Sequence, residues 1–485
     1  MNITSLIVGG FKGIDKKVTL PLAPITLFFG ANSTGKSTLL QAMLYLYEVL
    51  AKRNLDAEYS SIAGESLYFG GFHNLVHGKK SSGTITLGAT LDFTNEDDVF
   101  DDYLSDSERW WLENTLEISP DMAVSSITFE LDLKWDRLRE VVFVSRYECF
   151  SQGQTYIRFD SQAGRRQPVI SFYEPLPHWE VDESFKAENL FSTAVWESVP
   201  LDQRDALPRI NQRLDLSSAP LDWKDLFQDN AAAAQMFCEA ALSQSSLAPL
   251  KILIKKLERL FHIGPIRTIP NRSAVTNKRF RKERWFDGSG GWDAFAYGND
   301  ALQSRVNKVF QAPDFLNTNY QFSVDQFGEF PQLEKRVFIT ETASGVRLLP
   351  TDIGVGISQV FPFIVATSME GGSIVSCEQP ELHIHPKWQL ALGDMLLNAT
   401  RSNPNKMFLI ESHSEHLLLR LLKRRRDTSE GDNESYDCFK SDVQIIFCEQ
   451  IEGKTRFIPI KTTDEGEFDT RWPNGFFDER VGELF

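Results

Sequence analysis

Cysteine is scarce, with five residues in 485, at Cys149, Cys238, Cys377, Cys438 and Cys448, and no C-x-x-C pair. That spacing argues against a disulfide framework or a zinc knuckle and fits a reducing, cytoplasmic setting. No run of about 18 apolar residues occurs, so no membrane span is expected. The N-terminus MNITSLIVGGFKGIDKK has no basic segment leading into a long apolar core, so no secretory leader is expected either. Positive charge is also short: Asp and Glu outnumber Lys and Arg by 67 to 51, a formal net charge of −16. This rules out a uniformly basic nucleic-acid coat and leaves only a local basic stripe. Repeats and low-complexity tracts are missing as well. What is present is a globular share of apolar residues, 42% AVILMFWYC, over a length that suits roughly two to four domains.

Strand and helix signals alternate at both ends of the chain. The β-prone runs Thr4–Val8, Lys17–Leu20 and Ile25–Phe29 come first. From Ser37 to Arg53 the residues Leu39, Leu40, Met43, Leu44, Tyr47 and Leu50 recur every three or four positions, which predicts a helix. Thr84–Leu91, Ile127–Leu133 and Val141–Val144 predict an antiparallel layer. The acid-rich stretch Asn95–Glu108 reads as a solvated loop or frayed helix. Between Asp222 and Phe261, Ala231–Ala234 and an apolar face of Leu250, Ile254, Leu257 and Leu260 predict an inserted helical lobe. Lys278, Arg279, Arg281, Lys282 and Arg284 then form the best local candidate for contact with a nucleic-acid backbone. Further on, β-runs at Ser373–Cys377 and Met407–Ile410 flank a helix of about Pro386–Thr400, and Glu415–Arg425 reads as another helix. In the basic run Lys423–Arg426, cations at a helix C-terminus are the simplest reading.

Gly30-Ala31-Asn32-Ser33-Thr34-Gly35-Lys36-Ser37 matches G-x-x-x-x-G-K-[ST] in full, after a predicted strand and at the opening of a predicted helix. The glycines let backbone N–H groups converge on phosphates, and the helix N-terminus adds partial positive charge. Lys36 reaches the β/γ-phosphates and the Ser37 hydroxyl ligates Mg²⁺, so ATP and Mg²⁺ are expected, with Thr38 beside them. Ile374-Val375-Ser376-Cys377-Glu378-Gln379-Pro380-Glu381 is an apolar run ending in acids, as a Mg²⁺-ordering carboxylate requires.

Two more motifs frame that run: Asp352-Ile353-Gly354-Val355-Gly356-Ile357-Ser358-Gln359 before it and Phe408-Leu409-Ile410-Glu411-Ser412-His413 after it. Their order resembles the ABC-type ATPases, in the soluble branch related to SMC, recombination and OLD-type antiviral ATPases, with PARIS- and Septu-type ATPase subunits as analogies. The resemblance covers residues 1–50 and 340–420. It implies an α/β fold: an ABC-ATPase head with a mixed sheet and an antiparallel β layer, interrupted by a β and helical insertion. The expected segments are 1–94, 95–335, 336–425 and 426–485. Sustained heptads are absent, so no long coiled coil is expected.

The resemblance also implies residue roles. Lys12 lies near the nucleotide. Gly354, Gly356, Ser358 and Gln359 form the signature loop, in which Gly356 and Ser358 bind the γ-phosphate of ATP held by an opposing protomer. His413 is the switch histidine, and His383 and His385 occupy the D-loop, where they make interface contacts and cap the following helix. The stretch 71–78, GFHNLVHG, stands at the Q-loop, with His73, Asn74 or His77 facing the metal. Glu378 holds Mg²⁺ through water. Gln379 replaces the usual glutamate, and a neutral amide cannot act as a general base; either Glu381 takes that role or hydrolysis is slow. The catalytic candidates are thus Glu378, Gln379, Glu381 and His413.

At the level of function, the resemblance implies a homodimer or higher homo-oligomer that closes around ATP. Such a switch would control a separate effector, a nuclease or toxin, in bacterial antiviral defence. A DNA-repair or chromosome-maintenance ATPase and a nucleotide-stabilised scaffold with little hydrolysis are the alternatives. No D-x-D pair follows His413, so the chain is not expected to be the nuclease. The tail Arg471–Glu479 resembles the C-terminal segment of one subgroup.

Overall fold

The computed structural model describes residues 2–94, 103, 105–115, 126–164, 167–173, 199–201, 204–217, 219, 231–271, 276, 281–328, 334–431, 436–469 and 472–473. The chain divides into two units, each assembled from three separated stretches. The first contains Met1–Leu20, Tyr45–Ala57 and Gly70–Glu258; the second contains Pro21–Leu44, Glu58–Phe69 and Arg259–Phe485. Each unit therefore interleaves distant stretches of the chain. Strand pairing is the cause: Asn2–Gly9 pairs with Ile85–Asp92, whereas Ile25–Phe29 pairs with strands beyond residue 400.

The first unit is built on an eight-stranded sheet that begins at Val18–Pro21 and Asn2–Gly9. It then runs antiparallel through Ile85–Asp92, Ser126–Asp136, Val141–Ser151, Gln154–Asp160, Val169–Tyr173 and Val199–Pro200. On one face the buried carboxylates Glu130 and Glu148 sit directly opposite each other. Like charges in that position repel. Here they are neutralised by Arg146, which contacts both, by Lys17 on Glu130 at 2.8 Å and by Arg158 on Glu148 at 2.6 Å. The helices Ala231–Ser246 and Ala248–Leu257 supply the expected helical lobe. Leu260, read above as part of its apolar face, instead opens a strand of the second unit. The acidic stretch is helical from Asp106 to Thr115; its Asn95–Asp102 part lies outside the described residues.

The second unit holds the mixed sheet. Leu260–Ile263, Ile374–Glu378, Met407–Glu411, Ile25–Phe29 and Val443–Ile451 are parallel neighbours in that order, and Lys454–Ile460 closes the edge antiparallel. Every residue of Ile25–Phe29, Ile374–Glu378 and Met407–Glu411 is buried. Strands covered on both faces read as continuous apolar runs, which is why all three were visible in the sequence. Helices Val355–Ser368, Pro386–Ser402 and Glu415–Ser429 belong to this unit, as does a smaller antiparallel sheet of Tyr320–Phe327, Glu334–Glu341 and Arg347–Leu348. Among the described residues the longest helix has 17 residues, so no coiled-coil arm is present, and none is long and apolar enough to cross a membrane.

An aromatic cluster anchors the helix Val355–Ser368. Phe361, fully buried, stacks on Trp292 with centroids 3.9 Å apart and meets Phe295, Phe310 and Phe322 within 6.0 Å. Phe361→Ala is expected to cost about 3–5 kcal/mol of stability, read as a lowered midpoint in denaturant unfolding.

Candidate active site

The site lies in the second unit, where the parallel strands end. Ile25–Phe29 runs into Gly30, whose φ of 146° is the left-handed region that favours glycine. A side chain there would also collide with the Cys448 carbonyl oxygen at 2.2 Å. Gly35, at φ 97°, has Thr455 side-chain atoms 2.7 Å from where a Cβ would stand. Ser33 adopts φ 64°, and the Thr34 hydroxyl donates to the Ala31 carbonyl at 2.9 Å. Asn32 and Ser33 face solvent. The helix Lys36–Ala51 then begins with no acid in its first turn, so nothing in that turn offsets the positive end of its dipole.

Lys36 is 3% exposed, and its ammonium donates to the carbonyls of Gly30 and Ala31 at 3.0 and 2.8 Å. It also stands 3.7 Å from Glu411, while the Ser37 hydroxyl donates to the other oxygen of the same carboxylate at 2.6 Å. The Thr38 N–H closes the turn on the Gly35 carbonyl at 3.1 Å. Glu411 ends the strand next to the loop strand, and Glu378 is its register partner on the following strand. Two carboxylates are thereby brought to the same level beside one lysine.

Past Glu378 the chain turns sharply. Gln379 takes φ 47° and its N–H donates to the Glu411 carbonyl at 2.7 Å. Glu381 comes back to the site, where one carboxylate oxygen accepts the His413 N–H at 2.6 Å and the other is buried without a partner. Burial raises the Glu381 pKa above its ordinary 4.5, the His413 hydrogen bond opposing it. Burial also raises Glu411, opposed first by the Ser37 hydrogen bond. Burial, with the Lys36 charge adding to it, lowers His413, which keeps that imidazole neutral at neutral pH. Its buried Nε2 has no partner.

Three residues escaped the sequence reading. Glu411 lay within a quoted motif but was given no role. Arg267, 2% exposed, donates to the carbonyls of Glu378 and Gln379 at 2.6 and 3.1 Å and to that of Gln359 at 3.2 Å. It ties the start of the helix Val355–Ser368 to the carboxylate strand. His262, fully buried on Leu260–Ile263, places Nε2 3.3 Å from Glu378 and Nδ1 2.9 Å from the Ser376 hydroxyl. An isolated HIGPIR stretch offers no pattern from which either role could be read.

The expected signature loop is placed only in part. Gly354 precedes the helix Val355–Ser368, exposed, with open space around a would-be Cβ, and Val355 is 46% exposed. Gly356 needs to be glycine because a Cβ would lie 2.4 Å from the His383 carbonyl oxygen. Ser358, however, is fully buried and donates to the Pro350 carbonyl at 3.2 Å, and Gln359 faces inward onto Arg267, whose N–H it accepts at 3.2 Å. Helical phase turns both side chains inward in this chain, leaving Gly354 and Val355 as the exposed part of the segment. His383 is exposed at φ 63°, and His385 caps Pro386–Ser402 by accepting the Lys387 N–H at 3.2 Å.

Lys12, His73, Asn74 and His77 belong to the first unit. There His77 Nδ1 lies 2.7 Å from the Lys12 carbonyl, Asn74 donates to the Gly70 carbonyl and the His73 ring packs 4.5 Å from that of Trp135. In the basic patch, Lys278 and Arg279 lie outside the described residues; Arg281 is exposed, Lys282 is half-buried and Arg284 is paired with Asp293. Arg424 is pinned on Asp394, Arg425 is buried and Arg426 donates to the Glu465 carbonyl, so most of the run Lys423–Arg426 is spent within the unit. In the tail, Trp472 meets Phe29, Phe447 and Phe468 edge-on; Asn474–Glu479 lie outside the described residues.

The donor set fits a nucleotide with a hard divalent cation. The loop supplies backbone N–H groups and a buried ammonium, and Ser37, Glu378 and Glu411 offer oxygen ligands. Glu381 adds a third buried carboxylate, so Glu378, Glu381 and Glu411 face two buried cations, Lys36 and Arg267, an excess of negative charge that a metal cation would relieve.

Residues 1–151 match the AAA ATPase domain family, and residues 438–485 match a family described as a protein of unknown function (DUF3696). Similar solved structures include an SMC head bound to the C-winged helix domain of ScpA, at 11% identity over 95% of this chain and 98% of that one, with TM-score 0.42. The SMC head domain from Thermotoga maritima matches at 8% identity over 95% and 100%, with TM-score 0.37. The Pyrococcus furiosus Smc head with an extended coiled coil, bound to the C-terminal domain of ScpA, matches at 12% over 95% and 96%, with TM-score 0.39.

Lys36→Ala is expected to weaken ATP binding by about 100-fold, through lost charge-assisted hydrogen bonds, in a titration with a fluorescent ATP analogue. Because Glu381 is raised in the fold, its proton contributes stability that is full below pH 4.5 and is lost as pH rises through the folded value. Glu381→Gln should therefore gain stability relative to the parent as pH rises from 4.5 towards neutrality, measured by urea midpoints across that window.

Proposed function

We propose that this chain is a Mg²⁺-dependent ATPase of ABC type that closes as a homodimer or larger homo-oligomer around ATP. The observation that carries the reading is the convergence of Lys36 and Ser37 on Glu411, register partner of Glu378, at the ends of adjacent parallel strands. Bound Mg²⁺ would neutralise phosphate charge and order the nucleotide. Lys36 and the loop N–H groups hold the phosphates, while Ser37, Glu378 and Glu411 provide the oxygen ligands. Glu381, a buried carboxylate with one unpartnered oxygen and a raised pKa, is placed to accept the proton of an attacking water, the task Gln379 cannot perform. His413 presents a neutral imidazole beside it.

Gly354 and Val355 are the exposed part of the signature segment and the surface offered to an opposing protomer. In the wider role we assign, the ATP-driven assembly restrains or releases a separate effector, a nuclease or toxin, in bacterial antiviral defence. The motif order supports that role. Gln379 favours a second reading, a nucleotide-stabilised scaffold that hydrolyses ATP very slowly.

Steady-state ATP turnover of the purified chain, with light scattering for mass, separates the two. Under the ATPase reading, Glu381→Gln abolishes Mg²⁺-dependent turnover and Gln379→Glu raises it by about tenfold or more. Turnover untouched by either change would defeat the assignment of the base. Gly354→Arg should preserve the fold and ATP binding, since the position is open, yet abolish both ATP-dependent assembly and turnover.

A further inference from the structure

We infer that His262 is a positioning residue that fixes the carboxylate of Glu378 for the metal. The inference deepens the ATPase reading and rests on it. His262 sits on the outermost parallel strand, in register with Ser376, and is fully buried. Its Nε2 lies 3.3 Å from Glu378 Oε1 and its Nδ1 lies 2.9 Å from the Ser376 hydroxyl. Nε2 has no aligned hydrogen-bond partner in this structure, so its contact with Oε1 is one of proximity; with the Ser376 hydroxyl donating to Nδ1, the ring hydrogen sits on Nε2 and faces the carboxylate.

Glu378 needs such a guide because little else in the described structure directs its side chain. The backbone of Glu378 is held by Arg267 and by the sheet, but those bonds end at the carbonyl. With His262 facing Oε1, the other oxygen is left for the cation. A second-layer hydrogen bond formed along this 3.3 Å contact would contribute about 10–100-fold in metal affinity. A histidine serving only to fill the core would have no reason to meet the carboxylate at the end of the strand, where the loop lysine also converges through Glu411.

The test compares the parent chain with His262→Leu, His262→Gln and Ser376→Ala. The affinity of a fluorescent ATP analogue is measured with and without Mg²⁺, and bound Mn²⁺ is counted by electron paramagnetic resonance in the presence of ATP. His262→Leu should weaken Mn²⁺ binding and raise the Mg²⁺ concentration for half-maximal turnover by about 10–100-fold. Nucleotide affinity without metal should stay within about twofold, because the phosphate-holding groups are untouched. His262→Gln, which keeps an N–H donor, should recover most of the loss, and Ser376→Ala should fall between the parent and the leucine variant.

Unchanged metal dependence in His262→Leu would overturn the inference while leaving the ATPase reading standing. So would an equal loss of nucleotide affinity with and without metal, which marks a general defect of the fold. A parent chain that neither binds ATP nor hydrolyses it would overturn both readings, and the failure would then be visible before any variant is made.

Discussion

The carboxylate of Glu411 is the point on which the rest of the site depends. One oxygen accepts the Ser37 hydroxyl, the other faces the Lys36 ammonium, and its carbonyl accepts the N–H of Gln379. A single residue therefore joins the loop Gly30–Ser37 to the turn that follows the strand Ile374–Glu378. Burial makes the arrangement demanding, because Glu378 and Glu381 bring further negative charge into the same low-dielectric region. The loop lysine, the segment at His413 and the turn at Gln379 are held together around this carboxylate.

Around this assembly the protein uses backbone close approach more than side-chain contact. Gly30 lies against Cys448, Gly35 against Thr455 and Gly356 against His383, and in each case a Cβ would meet an atom at 2.7 Å or less. Arg267 does from inside what the glycines do from outside, gathering carbonyls of Gln359, Glu378 and Gln379 onto one guanidinium. A shift at the exposed end of the helix Val355–Ser368 would thus be felt at the carboxylate strand through one buried cation.

Much of this was legible in the sequence, for reasons that differ by residue. Gly30–Ser37 is a local motif whose partners are its own backbone, so adjacency in sequence is adjacency in space. The strands ending at Glu378 and Glu411 show as apolar runs because both faces are covered. The inward setting of Ser358 was not legible, because its motif says nothing about helical phase while the helix packs through Phe361. His262 and Arg267 were illegible because their partners lie more than ninety positions away. The interleaving of the two units is hidden from the sequence for the same reason: the chain returns repeatedly to sheets begun in its first thirty residues.

The close approach of Gly30 to Cys448 and of Gly35 to Thr455 carries a consequence for the order of events on the ribosome. The loop is synthesised about four hundred residues before its walls and the flanking strands Met407–Glu411 and Val443–Ile451. At about 5–20 residues per second, tens of seconds pass before the nascent loop can acquire its native shape. Until then the strand Ile25–Phe29 has no sheet to enter and must be kept from pairing with strangers. The shape of the loop is thereby coupled to synthesis of the segment that contains Cys448 and Thr455, so a nascent chain that stops short of it lacks the loop's walls.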